Sequence, residues 1–234
     1  MKKNQEKSKE TKSNKLIEKI ENHRGREIEQ YIRELSIDQY MLNRNLLDLM
    51  KCIKYYKDNK ELMATKNRDK LDAFLGEFIR VLHNYLASVN TLRNHIYATA
   101  NKLENDFKER YSSELEERDI KKIGSFLIEM GNFIRHKKLL PVASTFSYSK
   151  GEGTERSLTL NKKRLLEEYD LNEDAKEYLE DWEKRVNIPE VLVEYHKEAK
   201  FLCNWFKSEI YSDFSKEIDE HNQLIREFNC KLKK

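Results

Sequence analysis

The chain has 234 residues, of which 37% are charged and 38% hydrophobic, with six glycines and two prolines. That balance furnishes a core for one large domain or two small ones and favours long amphipathic helices over a loop-rich or β-rich fold. A net charge of +3 is too small to declare a nucleic-acid binder from the total, and the three cysteines, Cys52, Cys203 and Cys230, lack CxxC spacing, which argues against a disulfide framework or a zinc site and fits a reducing, cytoplasmic setting.

Residues 1–15 (MKKNQEKSKETKSNK) carry six lysines against two glutamates, with no apolar residue after Met1. Such a segment cannot bury enough surface to offset its ordering entropy, so a disordered basic tail is expected, either solubilising or tethering to phosphate. No apolar run approaches the ~20 residues that cross a bilayer, so no membrane association is expected.

From Leu16 to about Lys57 the apolar residues keep helical spacing, with Gly25 and Ser36 as interruptions, giving one bent helix or two. Thr65 or Asn67 can cap the next helix. The strongest periodicity runs from about Lys70 to Arg110: Leu71, Phe74, Leu75, Phe78, Leu82, Tyr85, Leu86, Val89, Leu92 and Ile96 recur at steps of three and four and mark one broad apolar face. A polar line of Arg80, Asn84, Ser88, Thr91 and His95 runs along the opposite side. A second helix spans about Glu117 to Lys138, and Pro141 forbids its continuation.

The segment VASTFSYSKGEGTERSLTLN then changes character, with β-branched and aromatic residues around Gly151 and Gly153 predicting a hairpin at about 142–160 that packs on the helices. Helical pattern resumes at 162–169 and 172–186, and Pro189 suits the first turn of a last helix reaching about Asn229. The expectation is an all-α fold: an elongated helical bundle with a small β-hairpin inserted after the helix that ends near Lys138. The divisions are a tail (1–15), a helical arm (16–60) and a bundle (66–230).

Catalytic templates are absent: there is no GxSxG elbow, GxxxxGK[ST] loop, GxGxxG or HExxH, and no histidine pair at metal-binding spacing. Two features stand above this background. At about 100° per residue, Arg93 falls inside the apolar arc near Leu75 and Leu86, where a guanidinium must find an internal carboxylate, snorkel out, or engage phosphate in a cleft. Asn132 and His136 lie at i, i+4 on one helical face with Ser125 and Glu129, a pattern that serves general acid–base chemistry or simply a solvated helix end with Lys137 and Lys138 on its dipole.

The succession HNYLASVNTLRNHI, ERY, FLIEMGNFIRHKKLLPV, a hairpin and VLVEYHKEAKFLCNWF resembles a group of bacterial all-helical proteins, and GNFIRH resembles the R-x(4-6)-H signature of HEPN domains. The resemblance covers about residues 75–210. It implies a bacterial defence, toxin–antitoxin or mobile-element setting and metal-independent, cofactor-free endoribonuclease chemistry across a homodimer. In that chemistry a histidine assists proton transfer and an arginine stabilises charge on phosphorus. His136 takes the histidine's place and Asn132 that of the polar residue, but Gly131 stands where the arginine belongs, so impaired cleavage is expected. Arg93 could supply the guanidinium from the neighbouring helix; Arg135, one residue before His136, points about 100° away. If RNA is bound, Lys121, Lys122, Arg135, Lys137 and Lys138 are the candidate phosphate contacts. The competing reading is a non-catalytic helical interaction or dimerisation protein using the arm and the polar face.

Overall fold

The computed structural model describes residues 14–63, 67–103, 106–118, 120–136, 140–149 and 153–232. Most of the expected basic tail lies outside them. A helical segment at 14–21 precedes α1 (Arg24–Asp58), a 3₁₀ turn (Lys60–Met63), α2 (Arg68–Lys102), α3 (Phe107–Glu117) and α4 (Ile120–His136). Then come β1 (Val142–Ser149), β2 (Gly153–Asn161), α5 (Lys162–Glu168), α6 (Glu173–Glu180), β3 (Arg185–Asn187), α7 (Ile188–Asp213) and α8 (Ser215–Leu232). The chain is a mostly all-α bundle with one small antiparallel sheet, in the order β1-β2-β3.

The chain forms two compact units, Met1–Ile37 with Asn204–Lys234, and Asp38–Cys203. The boundary between these units falls inside α1 and α7. In the described part of the smaller unit, Ile28, Leu35, Phe206 and Ile210 are buried, and Gly25 packs so closely that a β-carbon there would stand 2.1 Å from the Glu217 carbonyl oxygen. His221 is buried, and its Nδ1 pairs with the Glu29 carboxylate at 2.9 Å.

In the larger unit α2 buries Phe74, Phe78, Leu82, Tyr85, Val89, Leu92 and Ile96 at steps of three and four, as its apolar periodicity predicts. α4 runs antiparallel to it. Gly131 faces Leu86, and seven residues away in opposite directions Gly124 and Arg93 line one cleft. α6 covers the other side of α4, where Phe126 meets Tyr178 with ring centroids 5.4 Å apart. Just ahead of α6, Tyr169 stacks on Phe133 at 3.6 Å.

Several boundaries differ from the periodicity. The long 70–110 helix is broken at Leu103, the 172–186 segment ends in the strand β3, and the last helix is interrupted at Phe214. The hairpin is present with Val142 opposite Leu160 and Ser149 opposite Gly153, and β3 extends it by pairing Val186 with Leu160. Pro189 stands in the first turn of α7. Asn67 precedes α2 without a side-chain cap bond, whereas Asn161 and Asn172 cap α5 and α6 by accepting from the amides of Arg164 and Ala175.

Candidate functional site

The polar face of α4 is where sequence reasoning places the chemistry. Asn132 accepts a hydrogen bond from Arg135 Nη2 at 2.8 Å, and Arg135 Nε donates to the Gly131 carbonyl at 3.3 Å. This short local loop ties the asparagine to the arginine. The backbone of His136 ends α4, while its side chain and all of Lys137 and Lys138 lie outside the described residues. Glu129, on the same face, accepts from Asn172 Nδ2 at 3.1 Å.

Gly131 has a packing role. It is buried, and a β-carbon added there would lie 3.4 Å from the Leu86 β-carbon. That position therefore faces Leu86 of α2 across an ordinary van der Waals contact, which a methyl group fits and toward which a longer side chain would have to grow.

Arg93 departs from the expectation of an inward charge. It is exposed, while its neighbours Leu92 and Ile96 are buried. The angular count places the residue on the right side of the helix, but burial at that level depends on what stands opposite. There α3 and the start of α4 leave a cleft, and the side chain lies at its rim among Tyr111, Gly124, Ser125 and Tyr195. Gly124 and His136 are twelve residues apart on α4, about 18 Å at the helical rise. Arg93 and the end of the α4 backbone are thus at opposite ends of the α2–α4 packing.

Among the described residues the remaining candidate cations, Lys121, Lys122 and Arg135, are each engaged locally. Lys121 and Lys122 on α4 pair with Asp174 at 3.3 Å and Glu177 at 3.5 Å on α6, while Arg135 serves its own helix. Among the described residues no group of three or more His, Cys, Asp or Glu side chains could hold a metal ion. No helix among them is long and apolar enough to cross a membrane.

Three features escaped the sequence reading. Asp38 is a buried carboxylate that meets His95 Nδ1 at 2.5 Å, so the polar line along α2 is partly a packing surface. Tyr111 and Tyr195 both line the Arg93 cleft, and both lie in the blocks ERY and VLVEYHKEAKFLCNWF, where their alternation with charged neighbours offered no sign that they converge. Finally, α1 exposes an apolar stripe: Tyr40, Leu47 and Tyr55 are 63%, 51% and 53% exposed, while Leu42, Leu49 and Ile53 on the other side are buried. Arg44 and Lys51 fill the stripe at steps of three and four.

No family model, curated protein or solved structure matches this chain.

Proposed function

We propose that the chain is a non-catalytic, HEPN-like helical interaction protein, and that the outer stripe of α1 in the larger unit takes a second copy of the chain. The stripe is the observation that carries this reading. Three large apolar side chains at helical spacing remain half or more exposed on a helix whose opposite face is already covered, and contiguous exposed apolar surface marks interaction sites. The interspersed charges complement themselves. In an antiparallel pair about a two-fold axis near residue 46, Arg44 of each copy meets Asp48 of the other, so one surface serves both partners. Against catalysis stand Gly131, which faces Leu86 where the signature has its arginine, and Arg93, which lies at the far end of α4 from the His136 backbone.

Sedimentation velocity of the full chain up to about 50 µM tests this, a range that detects micromolar self-association. The expected result is concentration-dependent dimerisation, lost in Tyr40→Glu/Leu47→Glu and in Arg44→Glu alone, and restored in Arg44→Glu/Asp48→Arg. A monomer at every concentration would overturn it.

RNA is the second reading, favoured by one observation. Tyr40 and Tyr55 stand exposed among Arg44, Lys51 and Lys54, and aromatic rings interleaved with cations suit single-stranded bases and phosphates. Under that reading the monomer binds single-stranded RNA in a strongly salt-dependent manner. Incubation with structured RNAs in chelator, with wild type beside His136→Ala, is expected to show no cleavage by either. Cleavage abolished by His136→Ala would restore the ribonuclease reading.

A further inference from the structure

The cleft between α2, α3, α4 and α7 is a site that neither the α1 stripe nor the α4 signature uses. It is a narrow cleft of about 50 Å³, walled by Leu92, Ile96, Leu115, Ile120, Ala199 and Leu202. It opens past Arg93 and Lys121 onto a wider mouth of about 340 Å³ that includes Asn94, Tyr97, Ser112 and Glu116. The mouth has the size of a small-ligand pocket, and the cleft behind it joins apolar walls to a few polar groups converging at one place.

Two of the polar groups in the cleft are buried hydroxyls, those of Tyr195 and Ser125. Tyr195 is 5% exposed and its ring packs against Gly124, with Cε2 3.4 Å from where a β-carbon would stand. Among the described residues its hydroxyl has no hydrogen-bond partner, and the hydroxyl is not sealed in protein either, so it opens on the cleft. The same is true of Ser125, also 5% exposed. Buried hydroxyls are ordinarily satisfied, and two left open beside one cavity mark a place where a ligand atom completes them.

Arg93 supplies the charge. No carboxylate among the described residues pairs with it, yet it is near enough to favour the ionised form of both Tyr111 and Tyr195. Burial outweighs that pull: it raises Tyr111 to about 12 and Tyr195 also upward, so both phenols stay neutral and can donate at physiological pH. The Arg93 guanidinium and the hydroxyls of Tyr195 and Ser125 are donors with no acceptor among the described residues. Lys121 at the rim is already paired with Asp174, so Arg93 is the cation that lacks a counter-ion.

We propose that this cleft binds a small amphipathic carboxylate, its head held by Arg93 with the hydroxyls of Tyr195 and Ser125 and its apolar body between Leu92, Ile96, Ile120 and Leu202. The planar carboxylate suits the guanidinium fork. The apolar walls exclude a bare inorganic anion as the favoured occupant, and the unpaired arginine disfavours a neutral hydrocarbon. Gly124 keeps the cleft open, because a side chain at this buried helical position would grow into the space that Tyr195 borders.

Isothermal titration calorimetry of the full chain with octanoate, 1-octanol and acetate tests the proposal. Octanoate should bind, and 1-octanol and acetate should each bind at least tenfold more weakly, since one lacks the charge and the other the tail. Arg93→Gln, an exposed position that leaves folding intact by circular dichroism, should weaken octanoate roughly tenfold without changing the affinity for 1-octanol. Tyr195→Phe should weaken octanoate severalfold, and Gly124→Leu should abolish binding. Octanoate and 1-octanol binding alike, unchanged octanoate affinity in Arg93→Gln, or no octanoate binding to the wild type would each overturn it.

Discussion

A β-carbon at Gly131 would lie 3.4 Å from the β-carbon of Leu86, an ordinary van der Waals distance. The contact accepts a methyl group. Gly131→Ala should therefore be tolerated or stabilising by up to about 1 kcal/mol, from helix propensity alone. Gly131→Arg, which restores the letter of the signature, should lose about 3 kcal/mol by driving a charge and extra volume into the α2–α4 contact. Urea unfolding of the two variants checks both, and a Gly131→Arg protein as stable as the wild type would show that the helices separate easily there.

Two other helical glycines should respond in opposite directions. At Gly76 an added β-carbon meets nothing within 4 Å, so Gly76→Ala should stabilise by about 0.5–1 kcal/mol through the lost backbone entropy of the unfolded chain. At Gly25 it would meet the Glu217 carbonyl oxygen at 2.1 Å and the His221 β-carbon at 2.7 Å. Gly25→Ala should then cost about 2–3 kcal/mol, because backbone has to move. Thermal unfolding of both variants would show it.

Stability should fall as the pH drops below the ordinary histidine value, in part through His196. Burial, and then the Lys200 charge, hold its imidazole below that range, and its Nδ1 is buried without a hydrogen-bond partner. Well above about pH 6.5 the ring is neutral in both folded and unfolded chains and contributes nothing. Below it the unfolded chain takes up the proton first, so unfolding gains free energy until the folded ring also protonates. Denaturant titrations between about pH 7.5 and 5 should show a shallower decline in His196→Gln than in the wild type.

Thiol chemistry should separate the cysteines. Cys230 is exposed and Cys203 buried. Cys52 is half-buried, and burial, reinforced by Glu77 and opposed by Arg80, raises its thiol to about 11. Only about one part in a thousand of such a thiol is thiolate at pH 8. A disulfide reagent should label one cysteine per chain rapidly and the other two at least tenfold more slowly until denaturant is added. Equal labelling of Cys52 and Cys230 would contradict this.

The helices and the hairpin were legible because each writes its period into the sequence. Phe74 to Ile96 repeats at steps of three and four, and the glycines near 151–153 separate two extended runs. The strand β3 left no such mark, since three residues are too few to show alternation and Val186 is its one buried position. The interruptions at Leu103 and Phe214 were equally silent, because both residues continue the apolar periodicity while the backbone turns away. At the candidate site, angle predicted the face of Arg93 but not its depth, which α3 and α4 decide from a distance in sequence. Gly131 read as a missing catalytic group only because a motif compares letters; its contact with Leu86 is a tertiary property. The partnership of Asp38 with His95, 57 positions apart, was out of reach for the same reason.

The pairing of Asn161 with Arg185, reinforced by the Lys162 amide donating to the Lys184 carbonyl at 3.1 Å, brings the two ends of the 162–184 excursion together. The seam fixes where α7 begins, while inside the excursion Leu165 and Leu171 are buried and tie α5 and its connection to the core. The constraint falls also on Tyr169 and Tyr178, which must return to cover Phe133 and Phe126. This makes 162–184 a cap on α4, closed by one seam and anchored by aromatic contacts and by the pairing of Lys121, Lys122 and Glu129 with Asp174, Glu177 and Asn172.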